Sequence, residues 1–424
     1  MDRNIYNQYV QILHEELVPA MGCTEPIAIA YASALARKTL GCMPERAEIR
    51  ASANIIKNVK SVVVPNTGEL RGIAAAAAAG IVAGQADRQL QVLSQVTKEQ
   101  VGEIAKVLRE MPILVEQSDR PYVFNIQVSV YAGDSCAFCE IAGYHTNVIC
   151  LSKDDVIYEE NPYEELTASY KTDRSLLNIA DIVAFADCVE IAEIKELLDR
   201  QIACNTAIAE EGLSGHWGSQ IGQVLLKAYG DNVHTLAKAM AAAGSDARMS
   251  GCELPVVINS GSGNQGLTTS LPVIVYAREM KASAEELYRA LVVSNLVTIH
   301  LKTGIGTLSA YCGATSAGCG AGAGVCYLHG GKNDEIAHTV VNALAINSGM
   351  ICDGAKASCA AKIASAVEAG LLGWQMQTQG MEFLGGEGIV TKGVENTIRN
   401  VGRVARNGMV DTDREIIDIM ISSC

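Results

Sequence analysis

Phe124-Asn125-Ile126-Gln127-Val128-Ser129-Val130 alternates apolar and polar side chains, and that alternation decides what kind of fold this chain adopts. A period of two places one set of side chains on a buried face and the other on a wet one, the pattern of a half-buried strand. Stretches of similar character follow at residues 136–141, 145–150 and 156–158, close enough in sequence to form a small antiparallel meander. Beyond about residue 176 the alternation stops, and small residues at helical spacing continue to the end. The expected fold class is α+β: mostly helical, with a small antiparallel sheet in the N-terminal half and an all-helical C-terminal half. The expected division is a mixed helix and sheet domain over residues 1–170 and a helical domain over residues 171–424.

Upstream of the strands, Ile5, Tyr9, Leu13 and Leu17 recur at helical spacing in a helix that stops near Pro19. Met21-Gly22-Cys23-Thr24-Glu25-Pro26 then opens a second helix that Gly41 should close, with Thr24 as N-cap and Pro26 in the first turn. Cys23 would stand just outside a helix N-terminus, where partial positive charge lowers a thiol pKa. It is the best single candidate for a reactive cysteine, and a loop thiol tucked under the helix is the plainer reading. Residues 47–65 read as one or two strands ending in Pro65-Asn66-Thr67-Gly68, a turn whose amide, hydroxyl and open backbone can hold a carboxylate. The six alanines at 74–79 belong to a close-packed helix, and helical spacing continues to about Met111.

Downstream, Asn259-Ser260-Gly261-Ser262-Gly263-Asn264-Gln265-Gly266 is the richest polar loop of the chain. Its glycines let backbone approach a ligand, while Ser260, Ser262, Asn264 and Gln265 can hydrogen-bond the carboxylate or ammonium of an amino acid. The Gly-Lys-Ser/Thr ending of a phosphate loop is missing, and no dinucleotide-binding glycine pattern lies between a strand and a helix. Ser283 and Glu286 make a capping box for a helix that runs past His300. Cysteines then recur at a seven-residue step, first Cys312, Cys319 and Cys326, later Cys352 and Cys359. A thiol every seven residues returns to one helix face, so the run can line up soft ligands or fill tight helix contacts. Asp353 is a fitting cap for a helix over residues 355–369, which sets Cys352 and Cys359 near its entrance. Cys136 and Cys139 are three apart in a strand, so they point to opposite faces and make a poor zinc pair. Lys57, Lys60 and Lys302 can each partner a substrate carboxylate or, in a rival reading, form a Schiff base, but solvated surface lysine is the commoner case; His300, His329 and His338 read as core histidines or hydrogen-bonding neighbours of the cysteines.

The 47 acidic residues against 33 basic ones give a net charge of −14, which disfavours nucleic acid or an anionic membrane as a partner. Fourteen cysteines and no apolar export segment at the start point to a reducing, cytoplasmic setting with thiols free or metal-bound. Two windows without ordinary charge, residues 254–277 and 303–328, raise a membrane reading, but their Gly, Ser, Thr, Asn and Gln suit a buried core better than lipid.

Together, Gly22-Cys23-Thr24-Glu25-Pro26, Val64-Pro65-Asn66-Thr67-Gly68, the loop from Ser260 to Gly266 and the trio Cys312, Cys352, Cys359 resemble the L-cysteine desulfidases, relatives of the alpha chain of iron–sulfur L-serine dehydratases. The likeness covers nearly the whole chain, and the trio's offsets (352 − 312 = 40, 359 − 352 = 7) match the desulfidase spacing better than the wider serine dehydratase one. The resemblance implies a [4Fe-4S] cluster held by Cys312, Cys352 and Cys359 with one iron open, and a cysteine base at Cys23. Cys319 and Cys326 then fall back to packing. The expected reaction is pyridoxal-independent β-elimination of L-cysteine to pyruvate, ammonium and sulfide, with the substrate among Asn66, Thr67, Gly68, Ser260, Ser262, Asn264 and Gln265. L-serine on the same cluster is the nearest alternative, and a noncatalytic amino-acid-binding or redox-sensing protein the more distant one. The expected partner is the small amino acid, without nucleic acid or membrane, and a homodimer is compatible with this reading. Residues 411–424 read as a terminal helix or tail, whose last thiol, Cys424, would inhibit if it reached the open iron.

Overall fold

The computed structural model describes residues 1–161, 163, 172–306 and 308–422; Cys424 lies outside them. Among the described residues there are eight strands: β1 (Pro19–Met21), β2 (Arg46–Ala51), β3 (Ile113–Gln117), β4 (Asn125–Ala132), β5 (Ser135–Ala142), β6 (Val148–Lys153), β7 (Val156–Glu160) and β8 (Pro255–Val257). Six make one sheet in the order β3-β2-β4-β5-β6-β7, antiparallel throughout except for the parallel pair β2 and β3. The meander is the expected one, and among the described residues beyond it helices dominate, with the three-residue β8 a short strand in the half expected to be all helical, so the fold is α+β. β3 is an exposed edge with half-bare Leu114 and Val115, and it carries no buried alternation to betray it.

Ile126, Val128 and Val130 are fully buried, as their alternation requires. Their polar neighbours are not wet. Asn125 and Gln127 are buried and donate to Glu140 Oε1 at 2.9 and 3.0 Å, and Arg120 closes on the same carboxylate at 3.2 Å. Periodicity reports a polar face without telling solvent from a covered network of hydrogen bonds. Residues 47–65 also differ from a pair of strands: β2 stops at Ala51 and Ala53–Val59 is a helix. Its buried Ile55 and Val59 are four apart, but two turns are too short for the pattern to stand out.

The helix Thr24–Leu40 lies on β4 and β5 and crosses the helix Ile73–Ala83. The crossing is so close that a Cβ on Gly80 would come 2.2 Å from the carbonyl oxygen of Ala30. The same device builds the C-terminal half, where a Cβ on Gly318 would lie 2.1 Å from Ala366 O and one on Gly370 2.0 Å from Gly318 O. Such contacts account for the abundance of small residues, and for a helix Cys359–Thr378 that runs through Gly370 instead of ending before it. Gly318→Ala is therefore expected to cost about 3 kcal/mol through overpacking. Gly102→Ala, with open space around it in the helix Lys98–Glu110, should raise the melting temperature instead.

Two small pairings place the site. β1 runs antiparallel to β8 with Ala20 opposite Val256, which sets the residues before Cys23 beside those before Asn259. An isolated bridge joins Tyr311 to Ile351, with Cys312 N–H donating to Met350 O at 3.1 Å and Cys352 N–H to Ala310 O at 2.6 Å. That bridge puts two distant cysteines side by side.

Candidate active site

Four helices begin at one cavity. Cys23, Ser262, Cys312 and Ser358 are the N-caps of the helices Thr24–Leu40, Gly263–Met280, Gly313–Leu328 and Cys359–Thr378, and none of the four caps makes a side-chain hydrogen bond to the first turn. Uncapped first-turn N–H groups leave the positive helix ends facing Cys23, Ser262, Cys312 and Cys359 in the lining. Lys57, Arg248, Lys302 and Lys362 add cations, of which Lys57 and Lys362 are paired with Asp413 and Asp353, and Glu25 is the one acidic side chain among the described lining residues. The cavity is built for anions.

Cys23 is itself the cap, one residue earlier than expected. Thr24 lies inside the helix, and its hydroxyl donates to Gly261 O at 2.9 Å, tying this helix to the polar loop. The Cys23 thiol is buried and donates to Met249 Sδ at 3.5 Å. Burial pushes its pKa up to about 12, while the Arg248 charge pulls the other way. The expected lowering by the helix end does not prevail, because complete desolvation of a thiolate outweighs half a charge at a helix terminus.

Ser260, Ser262, Asn264 and Gln265 line the cavity; Asn66, Thr67 and Gly68 do not. Asn66 Nδ2 donates to Leu93 O and Thr67 Oγ1 to Val64 O, both at 2.7 Å, and Gly68 sits under Val101. That turn uses its polar groups to hold itself together. Its reach toward the site is through Pro65, which packs on Gly22 so tightly that a Cβ there would meet Pro65 Cγ at 2.6 Å.

Cys312, Cys352 and Cys359 all face the cavity, while Cys319 and Cys326 are buried in helix contacts away from it. A hydrogen bond from Cys312 lowers the Cys352 thiol below its ordinary value, with the charges of Lys57 and Lys362 acting the same way, and Cys312 is pushed up in return. Cys359, the first residue of its helix, leans toward Gly354 O at 3.8 Å. Among the described residues, no three Cys, His, Asp or Glu side chains gather tightly enough to chelate a single ion. An iron–sulfur cluster asks for something else: one thiolate on each of several irons, with amides and cations nearby to offset the charge. Three thiols on the rim of an electropositive cavity, two of them beside uncapped helix starts, fit that demand.

Five lining side chains carry a buried polar atom without a hydrogen-bond partner: Asn58 Oδ1, His145 Nε2, Arg248 Nε, Gln265 Oε1 and Tyr311 Oη. Folded proteins satisfy nearly all such atoms, so five around one space mark a place for a polar ligand. Glu25 accepts from Asn58 Nδ2 at 2.9 Å, and its other oxygen lies 3.1 Å from Thr24 Oγ1. Burial lowers the His145 pKa, which keeps the imidazole neutral.

Arg248, Glu25, His145 and Tyr311 were not legible as site residues. Arg248 carried a faint signal, a cation at the small-residue end of Val233–Met249 beside Ser245 and Asp246; a lone His145 carried none. Lys57 and Lys302, expected in solvent, are 4% and 5% exposed. His300 and His338 instead pair with Glu395 and Glu382, and His329 stacks on Trp374, all away from the lining. Lys57 forms a buried ion pair with Asp413 of the helix Val410–Ser422. Lys57→Met should leave that carboxylate buried alone and cost roughly 3–5 kcal/mol in a denaturant titration, most of it recovered by adding Asp413→Leu.

A family model described as serine dehydratase alpha chain matches residues 87–418. The UPF0597 protein of Desulfitobacterium hafniense (strain Y51) is 57% identical over 419 residues, 99% of this chain and 97% of that one. Its counterpart in Lachnoclostridium phytofermentans is 48% identical over 418 residues, covering 99% and 100%, and that of Treponema denticola 46% identical over 427 residues, covering 99% of each. With a match over so much of its length, the chain belongs to the serine dehydratase alpha chain family.

Proposed function

We propose that this protein is a lyase that eliminates the β-substituent of a small L-amino acid without pyridoxal phosphate, with L-cysteine as substrate and pyruvate, ammonium and sulfide as products. The observation that carries the reading is the cavity itself: three thiols and five unpartnered polar atoms under four positive helix ends. Cys312, Cys352 and Cys359 would hold a [4Fe-4S] cluster. When bound, such a cluster supplies a Lewis-acidic iron that stabilises negative charge.

The chain's own residues do the rest. Glu25 is placed to face the substrate ammonium, and Ser260, Ser262 and Gln265 offer hydrogen bonds around it. Cys23 takes the proton from Cα as the Cβ–S bond breaks and sulfide leaves with the bonding pair. Aminoacrylate remains, and it tautomerises and hydrolyses to pyruvate and ammonium. The high pKa of Cys23 makes it a strong base once ionised, and Arg248 is the neighbour that favours ionisation. Burial of the thiol keeps water from competing for that proton.

The family description favours a second substrate, L-serine, for which hydroxide leaves instead of sulfide. The 40- and 7-residue offsets of the cysteine trio resemble those of the L-cysteine desulfidases, and that resemblance is what favours L-cysteine. Parallel assays of the anaerobically reconstituted protein, with pyruvate and sulfide both quantified, decide between them. Pyruvate and sulfide in equal amounts support the desulfidase, and pyruvate from L-serine alone moves the assignment to the dehydratase.

A further inference from the structure

Arg248 is the cavity's least explained group. It is 3% exposed, yet its Nε has no partner. Nη1 donates to Asn264 Oδ1 at 3.0 Å and leans on Met249 Sδ at 3.7 Å. Among the described residues no carboxylate lies within ion-pair reach, and a buried guanidinium without a counter-charge is costly unless an anion joins it.

The adjoining backbone has the same need. A Cβ at position 263 would come 2.3 Å from Arg248 Nε and 2.8 Å from its Cζ, so glycine there lets the guanidinium lie against the start of the helix Gly263–Met280. That helix has 18 residues and no side-chain cap, which leaves its first-turn amides facing the same space as Nε. A planar carboxylate can take the Nε–H with one oxygen and a helix amide with the other. Met249 Sδ touches Cys23 Sγ at 3.5 Å, Asn264 Nδ2 at 3.5 Å and Arg248 Nη1 at 3.7 Å, so the guanidinium and the Cys23 thiol share a neighbour.

We propose that Arg248 and the first-turn amides of Gly263–Met280 bind the substrate's α-carboxylate and present its Cα to Cys23. This deepens the elimination reading and rests on it. It makes a free carboxylate a requirement of the substrate, and it gives Arg248 the carboxylate-holding role expected of the Asn66-Thr67 turn and the loop from Ser260 to Gln265.

The test is calorimetric binding to the anaerobic, cluster-loaded full chain, with L-alanine and L-alaninamide as non-reacting probes. Wild type should bind L-alaninamide on the order of a hundredfold more weakly than L-alanine, the worth of a charged hydrogen-bonded pair. Arg248→Gln should bring L-alanine down to the level of the amide and leave the amide unchanged. With L-cysteine as substrate, KM should rise and kcat should fall as well, since the same charge favours ionisation of Cys23. Equal affinity of acid and amide in wild type overturns the inference without need of any variant, and so does discrimination that survives in Arg248→Gln. Inorganic phosphate displacing L-alanine with equal affinity would show a general anion site and overturn the carboxylate assignment. If neither L-alanine nor L-cysteine binds to the loaded wild type, the elimination reading itself fails.

Discussion

Cys352→Ser is expected to strip the visible chromophore from the anaerobically reconstituted protein and to lower L-cysteine turnover by at least about a thousandfold, since Lewis-acid stabilisation is worth several kcal/mol. Cys352 is the sharpest place to make this cut. Its thiol is the one lowered by Cys312, Lys57 and Lys362, which favours the thiolate a cluster ligand needs. Its backbone N–H is fixed on Ala310 O, so serine can keep the local fold. Cys326→Ala supplies the contrast. It shares the seven-residue spacing but lies among helices away from the cavity, and its loss should leave colour and turnover in place with a modest drop in stability. Loss of colour in Cys326→Ala and not in Cys352→Ser would reverse the ligand assignment.

Cys23→Ala should keep the chromophore yet slow both elimination and the exchange of the substrate Cα hydrogen with solvent deuterium by about 10² to 10⁴, the range of a general base. The pH dependence follows from burial. A thiol pushed up to about 12 is protonated at neutral pH, and its thiolate fraction rises tenfold per pH unit below that value. Elimination should therefore climb with pH through the neutral range without the plateau that an ordinary thiol base would show near pH 9, as initial rates at stepped pH will read. Unchanged Cα exchange in Cys23→Ala would take Cys23 out of the proton transfer.

The sheet and the helical half were legible because β4 to β7 and the small-residue helices repeat at their own periods over enough residues to be counted. What was hidden was short or made by contact. β1, β8 and the Tyr311–Ile351 bridge involve one to three residues a side, too few for a period, yet they bring Cys23 to the Ser260 loop and Cys312 to Cys352. The polar loop and the cysteines could be picked out by residue type. The charges around them could not, since Lys57, Arg248 and Lys302 look like ordinary surface cations until burial is known. The same blindness affected Cys23, where a local helix end argued for a low pKa and the three-dimensional packing of Met249 and its neighbours raised it. The Asn66 turn misled for the opposite reason, because side chains able to hold a ligand were satisfied by nearby carbonyls.

The most direct measurement is to load the protein anaerobically with increasing iron and sulfide, wash away the excess, and follow L-cysteine turnover against bound iron. The iron–sulfur elimination reading predicts pyruvate and sulfide in one-to-one ratio, at a rate proportional to the cluster content and absent from cluster-free protein. Full turnover without bound iron, or a fully loaded chromophore that releases no product from L-cysteine or L-serine, would contradict it.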